Sequence, residues 1–309
     1  MTTALFTHPV CALHENGPDH PEGPERLQAV LTELAKPEYA ALQRYDAPLA
    51  AMDQIAQVHD RDYVEDILHH VPVQGYVMVG REAVLSPHSG AAALRAAGAV
   101  IAAVDIVLGG KATNAFCAVR PPGHHAEYAT AMGFCFFNNI AVGAAHALAT
   151  YNLKRIAIID FDVHHGNGTQ EWVEGQDAVF FLSSHQFPCY PGTGRAQEKG
   201  RYNNLLNLPL PPGAGSIQFR SAMENFGLPS VDQFQPELIL ISAGFDAHCD
   251  DLLAGLNFEA GDYDWITREL CELARKHCTG RIVSTLEGGY AFDALAASVG
   301  AHVRALMDA

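Results

Sequence analysis

Five short runs of this chain are almost wholly apolar and stop abruptly at polar or glycine-rich clusters. They are NAFCAVR (114–120), RIAIIDFD (155–162), AVFFLSS (178–184), ELILISAGFD (237–246) and RIVSTLEGGY (281–290). A strand that is apolar at nearly every position has no face to turn to water, so it must be covered on both sides. Helical patterns stand between the runs, at 90–108, 138–151, 262–278 and 291–308. The alternation predicts a mainly parallel central sheet with helices on both faces: an α/β protein of three layers, α/β/α, read as one domain over 1–309. No Ser/Gly linker, low-complexity tract or internal repeat interrupts the pattern.

Charge and cysteine usage narrow the partners. With 35 acidic against 19 basic residues the formal net charge is −16, the wrong sign for gripping a phosphate backbone, so no nucleic-acid partner is expected. The seven cysteines (Cys11, Cys117, Cys135, Cys189, Cys249, Cys271, Cys278) form no C-x-x-C pair and are odd in number. They read neither as a disulfide framework nor as a cysteine metal site, and a reducing cytoplasm is the expected setting. The first residues lack the basic and apolar regions of a signal peptide. The apolar run Ala96 to Gly110 is broken by Asp105 and reads as too short for a bilayer, so no membrane partner is expected. Oligomeric state leaves no mark in the sequence.

In open parallel sheets a ligand sits outside the carboxyl ends of the strands. Those ends carry His124 and His125, then Asp160, Asp162 and His164, then Asp246, then Tyr290. The histidine pair stands on a stiff mount, VRPPGHHAEY (119–128), where two prolines restrict the chain ahead of a turning glycine. In an extended chain the side chains of Asp160, Asp162 and His164 would share one face. Two carboxylates and an imidazole suit a divalent metal of the zinc kind, whereas a calcium loop would use more oxygen ligands. Asp246, which by itself reads as a helix cap, would complete a three-ligand site, Asp162, His164 and Asp246, with one position open for water. Asp160 is then left to orient an imidazole.

The segments RPPGHHA, GFCFFNN, DFDVHHGNGT, YPGTG, SAGFDAH and EGGY occur in the order seen in the histone deacetylase family of zinc amidohydrolases, which the chain resembles along nearly its whole length. HPEGPERL (20–27) is similar to the family's first segment, and RPPGHHA with EGGY resembles the class II branch and its bacterial relatives. The resemblance implies the arginase–deacetylase fold, one catalytic zinc, and hydrolysis of an N-acyl amide such as acyl-lysine in a peptide or protein, or a small acylated amine. It implies His125 as general base and then general acid, His124 paired with Asp160 beside it, and Tyr290 as donor to the developing oxyanion. Asn167 stands where class I relatives carry an aspartate behind His125, so it would orient the ring without adding charge. Phe134 and Tyr190 would clamp the lysine methylenes, with Gly133 allowing close approach of substrate and Leu253 as an apolar gate at the mouth. The family also holds potassium, and the resemblance places it on the backbone of Asp160, Asp162 and His164 with Ser183 and Ser184. Three rival readings stand beside this one: an acetylpolyamine amidohydrolase, a non-catalytic acyl-lysine binding protein, and an arginase-like dimanganese hydrolase.

Overall fold

Apolar runs that need cover on both faces have it here. The computed structural model describes residues 2–309, and its strands are β1 (Thr3–Thr7), β2 (Gln43–Asp46), β3 (Val77–Val79), β4 (Ala83–Leu85), β5 (Asn114–Cys117), β6 (Ile156–Asp160), β7 (Val179–Gln186), β8 (Leu205–Leu210), β9 (Leu238–Ala243) and β10 (Ile282–Leu286). Eight of them form one sheet in the order β2-β1-β5-β10-β9-β6-β7-β8, every neighbouring pair parallel; β3 and β4 form a separate antiparallel hairpin. The five runs read from the sequence are β5, β6, β7, β9 and β10, whose residues are all buried.

The alternation of side chains along each strand divides the two helical layers. Asn114 donates to the Leu306 carbonyl (2.8 Å), and Ser284 meets His302 Nε2 (2.9 Å), so these positions face the 292–308 helix. That helix packs between the 260–278 and 24–34 helices. The opposite layer is led by the 89–108 helix, packed on the 139–151 helix and on β1, β5 and β10. The 89–108 helix corrects one expectation: at 20 residues it is long and apolar enough to cross a membrane. Thirteen of its residues are buried against its neighbours, so its apolar character is that of a core helix.

Several elements have no clear sequence signal. β2 is polar because it is an exposed edge, and β8 carries Pro209, which an edge strand tolerates. The 24–34 helix begins with Pro24 in its first turn, where the missing N–H costs nothing.

Candidate active site

The strands that end in chemically active residues, β5, β10, β9 and β6, are four consecutive neighbours in the middle of the sheet. Their carboxyl ends therefore open on one crevice. The segment after β5 is anchored to its neighbours by Glu287, at the end of β10. One Glu287 carboxylate oxygen accepts from the Gly123 N–H (2.7 Å) and the His124 N–H (3.2 Å), while the other accepts from Ser242 Oγ on β9 (2.9 Å). Burial raises the Glu287 carboxyl to about 7.

Asp162, His164 and Asp246 meet at the floor of the crevice, with one donor atom from each within 4.8 Å of the others. His164 Nδ1 is 3.2 Å from Asp162 Oδ1 and 3.2 Å from Asp246 Oδ2. Their local geometry differs from the extended arrangement expected. β6 stops at Asp160, and beyond it each aspartate turns the chain, Asp160 Oδ1 accepting from Asp162 N–H (3.1 Å) and Asp162 Oδ1 from His164 N–H (2.9 Å). The turns send Asp160 toward His124 and leave Asp162 and His164 facing Asp246.

These residues fit a divalent cation. Asp246 Oδ2 is buried and, although His164 Nδ1 lies 3.2 Å away, has no hydrogen bond of good geometry, a condition that a bound cation would relieve. The backbone is drawn in around it: a Cβ on Gly288 would lie 2.1 Å from Asp246 Oδ2 and 2.6 Å from Asp162 Oδ2. Burial, then the Asp162 charge, raises the Asp246 carboxyl to about 7, and the neighbouring Asp162 and Asp246 carboxylates overcome burial to push His164 well up. Both shifts report a crowd of negative charge, and a set of two carboxylates and one imidazole matches zinc.

Two histidines with opposite tendencies flank this group. His124 Nδ1 bonds Asp160 Oδ2 at 2.9 Å; burial would lower its value, but the Asp160 and Asp162 charges outweigh burial and raise it to about 10. His125 lies beside it, ring centres 4.0 Å apart, and burial together with the His124 and His164 charges lowers it well below 6.5. The Asn167 amide donates through Nδ2 to Glu127 Oε1 (2.8 Å), which orients its Oδ1 to accept from His125 Nδ1 (2.8 Å). Nε2 of His125 is then the lone-pair nitrogen.

A cavity of about 550 Å³ rises from this floor, lined by His124, His125, His164, Gly133, Phe134, Tyr190, Leu253 and Tyr290 among others. Tyr190 stands edge-on to His125 (5.2 Å between centres), and Phe134 edge-on to Tyr290 (6.3 Å). Gly133 lines the cavity at φ +54°, and a Cβ there would lie 2.3 Å from the His125 ring, so the glycine also lets His125 pack close. Leu253 is 39% exposed on the wall, whereas Leu252 is 94% exposed and does not line the cavity. Ser183 is level with Asp160 in the sheet, and Ser184 Oγ is buried without a hydrogen-bond partner.

Asn16, His20 and three residues of the β3–β4 hairpin also line the wall and escape sequence reasoning. Met78, Glu82 and Val84 come from the β3–β4 hairpin, whose strands are too short to read. Below the wall, Arg26 donates to the Gly289 and Glu287 carbonyls (both 2.5 Å) and lies over the Tyr290 ring, 4.8 Å from its centre. Its charge is matched by buried Glu22, which Arg120 also holds (2.8 Å).

Comparison with known proteins agrees with this architecture. A family model described as "Histone deacetylase domain" matches residues 20–306. The chain is 39% identical to "Histone deacetylase 14, chloroplastic" of Arabidopsis thaliana, over 96% of this chain and 75% of that protein. It is 37% identical to the "Histone deacetylase-like amidohydrolase" of Pseudomonas aeruginosa, over 93% of this chain and 81% of the other. The crystal structure of the HDA15 HD domain superposes with a TM-score of 0.93 at 33% identity, covering 99% of this chain and 88% of that one.

Proposed function

The chain belongs to the histone deacetylase family, and from that premise we propose that it is a zinc-dependent hydrolase removing an acetyl or other acyl group from the side-chain amine of lysine. The observation that carries this reading is the meeting of Asp162, His164 and Asp246 with a lone-pair nitrogen of His125 on the floor of one aromatic-walled cavity. Asp162, His164 and Asp246 would hold the zinc, which would supply Lewis acidity. His125 Nε2 takes the proton of the attacking water and returns it to the amine as the C–N bond breaks. His124, charged against Asp160, holds positive potential beside the developing negative charge. The Tyr290 hydroxyl donates to the oxyanion. Phe134 and Tyr190 flank the alkyl stem and exclude water. A potassium ion near Asp160, Ser183 and Ser184 belongs to the same reading, supported by the unpartnered Ser184 hydroxyl.

Two measurements test it. Metal analysis of Asp246→Ala is expected to show zinc far below one equivalent, because a two-ligand remnant binds weakly. A variant retaining stoichiometric zinc removes Asp246 from the ligand set. The zinc-loaded protein is then assayed on acyl-lysine peptides and acetylpolyamines. With Leu253 as an apolar gate, acetyl-lysine peptides are turned over better than acetylspermidine. Leu253→Glu moves the kcat/KM ratio toward the polyamine by about tenfold, roughly 1.4 kcal/mol. An unmoved ratio removes the gate.

One observation favours a second reading, an acetylpolyamine substrate. The Glu82 carboxylate lines the same cavity and lies near enough to Tyr190 to add to the effect of burial in raising its phenol. On that reading the parent already prefers acetylspermidine, and Glu82→Gln abolishes the preference.

A further inference from the structure

We propose that Asp251 is a positioning residue that couples the Leu253 gate to the Tyr290 hydroxyl, an inference that rests on the reading of Tyr290 as oxyanion donor. Asp251 lies on the loop that leaves β9 through Asp246 and reaches the cavity wall at Leu253. Its side chain is buried at 6% exposure and makes no ion pair among the described residues. Its charge is instead directed at backbone N–H groups from two different loops. Oδ2 accepts from the Tyr290 N–H (2.6 Å) and the Ala291 N–H (3.2 Å), and Oδ1 accepts from the Leu253 N–H (3.1 Å).

The other hydrogen bonds on the Tyr290 loop grip the residues before it. The Gly288 N–H donates to Asp162 Oδ2 (2.8 Å), and Arg26 takes the Glu287 and Gly289 carbonyls. Among the described residues Asp251 is the acceptor for the backbone of Tyr290 itself. It also serves the helix that follows: the 292–308 helix begins after Ala291, whose side chain cannot cap it, and Asp251 places a negative charge at that end. Charge-assisted bonds of this kind are about twice as strong as neutral ones. One carboxylate thus ties the gate, the oxyanion donor and a helix start into a single unit. Displacing the gate displaces the phenol, so a substrate that seats Leu253 correctly also sets Tyr290 at its working distance.

Asp251→Asn is the direct test, because an amide has one acceptor oxygen and cannot serve both loops. The zinc-loaded full chain is assayed on an acetyl-lysine peptide in two double-mutant cycles, with bound zinc and Tm measured for every variant. Asp251→Asn is expected to lower kcat by about tenfold in the parent and by less than about twofold in a Tyr290→Phe background, since the hydroxyl it positions is already gone. It is expected to raise KM in the parent and to leave KM unchanged in a Leu253→Ala background. Should the Asn variant not fold, Asp251→Glu, which keeps the charge and lengthens the arm, is expected to show the same non-additivity. Equal losses of kcat in both backgrounds, with zinc retained, would overturn the coupling and leave Asp251 with a merely structural role. Tyr290→Phe at parental turnover overturns the oxyanion reading itself, and this coupling with it.

Discussion

Tyr290→Phe is expected to fold as the parent does, to keep its zinc, and to lose about two to three orders of magnitude in turnover on acetyl-lysine, the usual cost of one oxyanion donor. Burial pushes the Tyr290 phenol well up, more than the Arg26 charge pulls it down, so the hydroxyl stays a donor through the neutral range. The substitution removes the oxygen and keeps the ring, which preserves the Arg26 stacking at 4.8 Å and the edge contact with Phe134 at 6.3 Å. The backbone bond from Tyr290 to Asp251 is also untouched. A folding defect is therefore not expected, and the loss should appear in kcat. The substrate must carry plain acetyl, because an activated acyl group forms its oxyanion with less help. Parental turnover with full zinc would remove Tyr290 from the reaction.

The parts of the fold legible in the sequence are those where burial leaves a residue-type signature. β5, β6, β7, β9 and β10 announce themselves because strands covered on both faces have no polar alternation to blur them. β2 and the β3–β4 hairpin are exposed or three to four residues long, so their composition carries little information. The floor of the site is legible for a related reason: His124, His125, Asp160, Asp162, His164 and Asp246 are ionisable groups placed where an apolar strand ends. Residues that act on the backbone are silent. Glu287 holds the histidine mount through two N–H groups, and Asp251 holds Tyr290 through one. A backbone N–H has the same chemistry at nearly every position, so nothing in its sequence marks it as a partner. The extended D-x-D-x-H arrangement fails on local competition, since an aspartate carboxylate readily accepts from the N–H two residues on and turns the chain.

His125→Ala is expected to cost about two to four orders of magnitude in kcat/KM, the range for losing a positioned general base. Its partner Asn167 supplies a finer test of the same role. A general base works in its unprotonated form, so activity falls as pH drops through the pKa of His125. Burial and the neighbouring His124 charge hold that pKa well below 6.5, which keeps His125 neutral and basic at pH 7 and puts the acid limb of kcat/KM below the ordinary imidazole range. His124 is raised to about 10 and stays charged there, so it does not produce this limb. Asn167→Asp replaces a neutral acceptor on His125 Nδ1 with a carboxylate. An adjacent negative charge favours imidazolium, so the acid limb is expected to move to higher pH by about one unit or more. Rate–pH profiles of the parent and of Asn167→Asp, both zinc-loaded, decide the matter. A limb that stays in place in Asn167→Asp would mean that the titrating base is a group other than His125, and a His125→Ala variant with near-parental activity would mean the same.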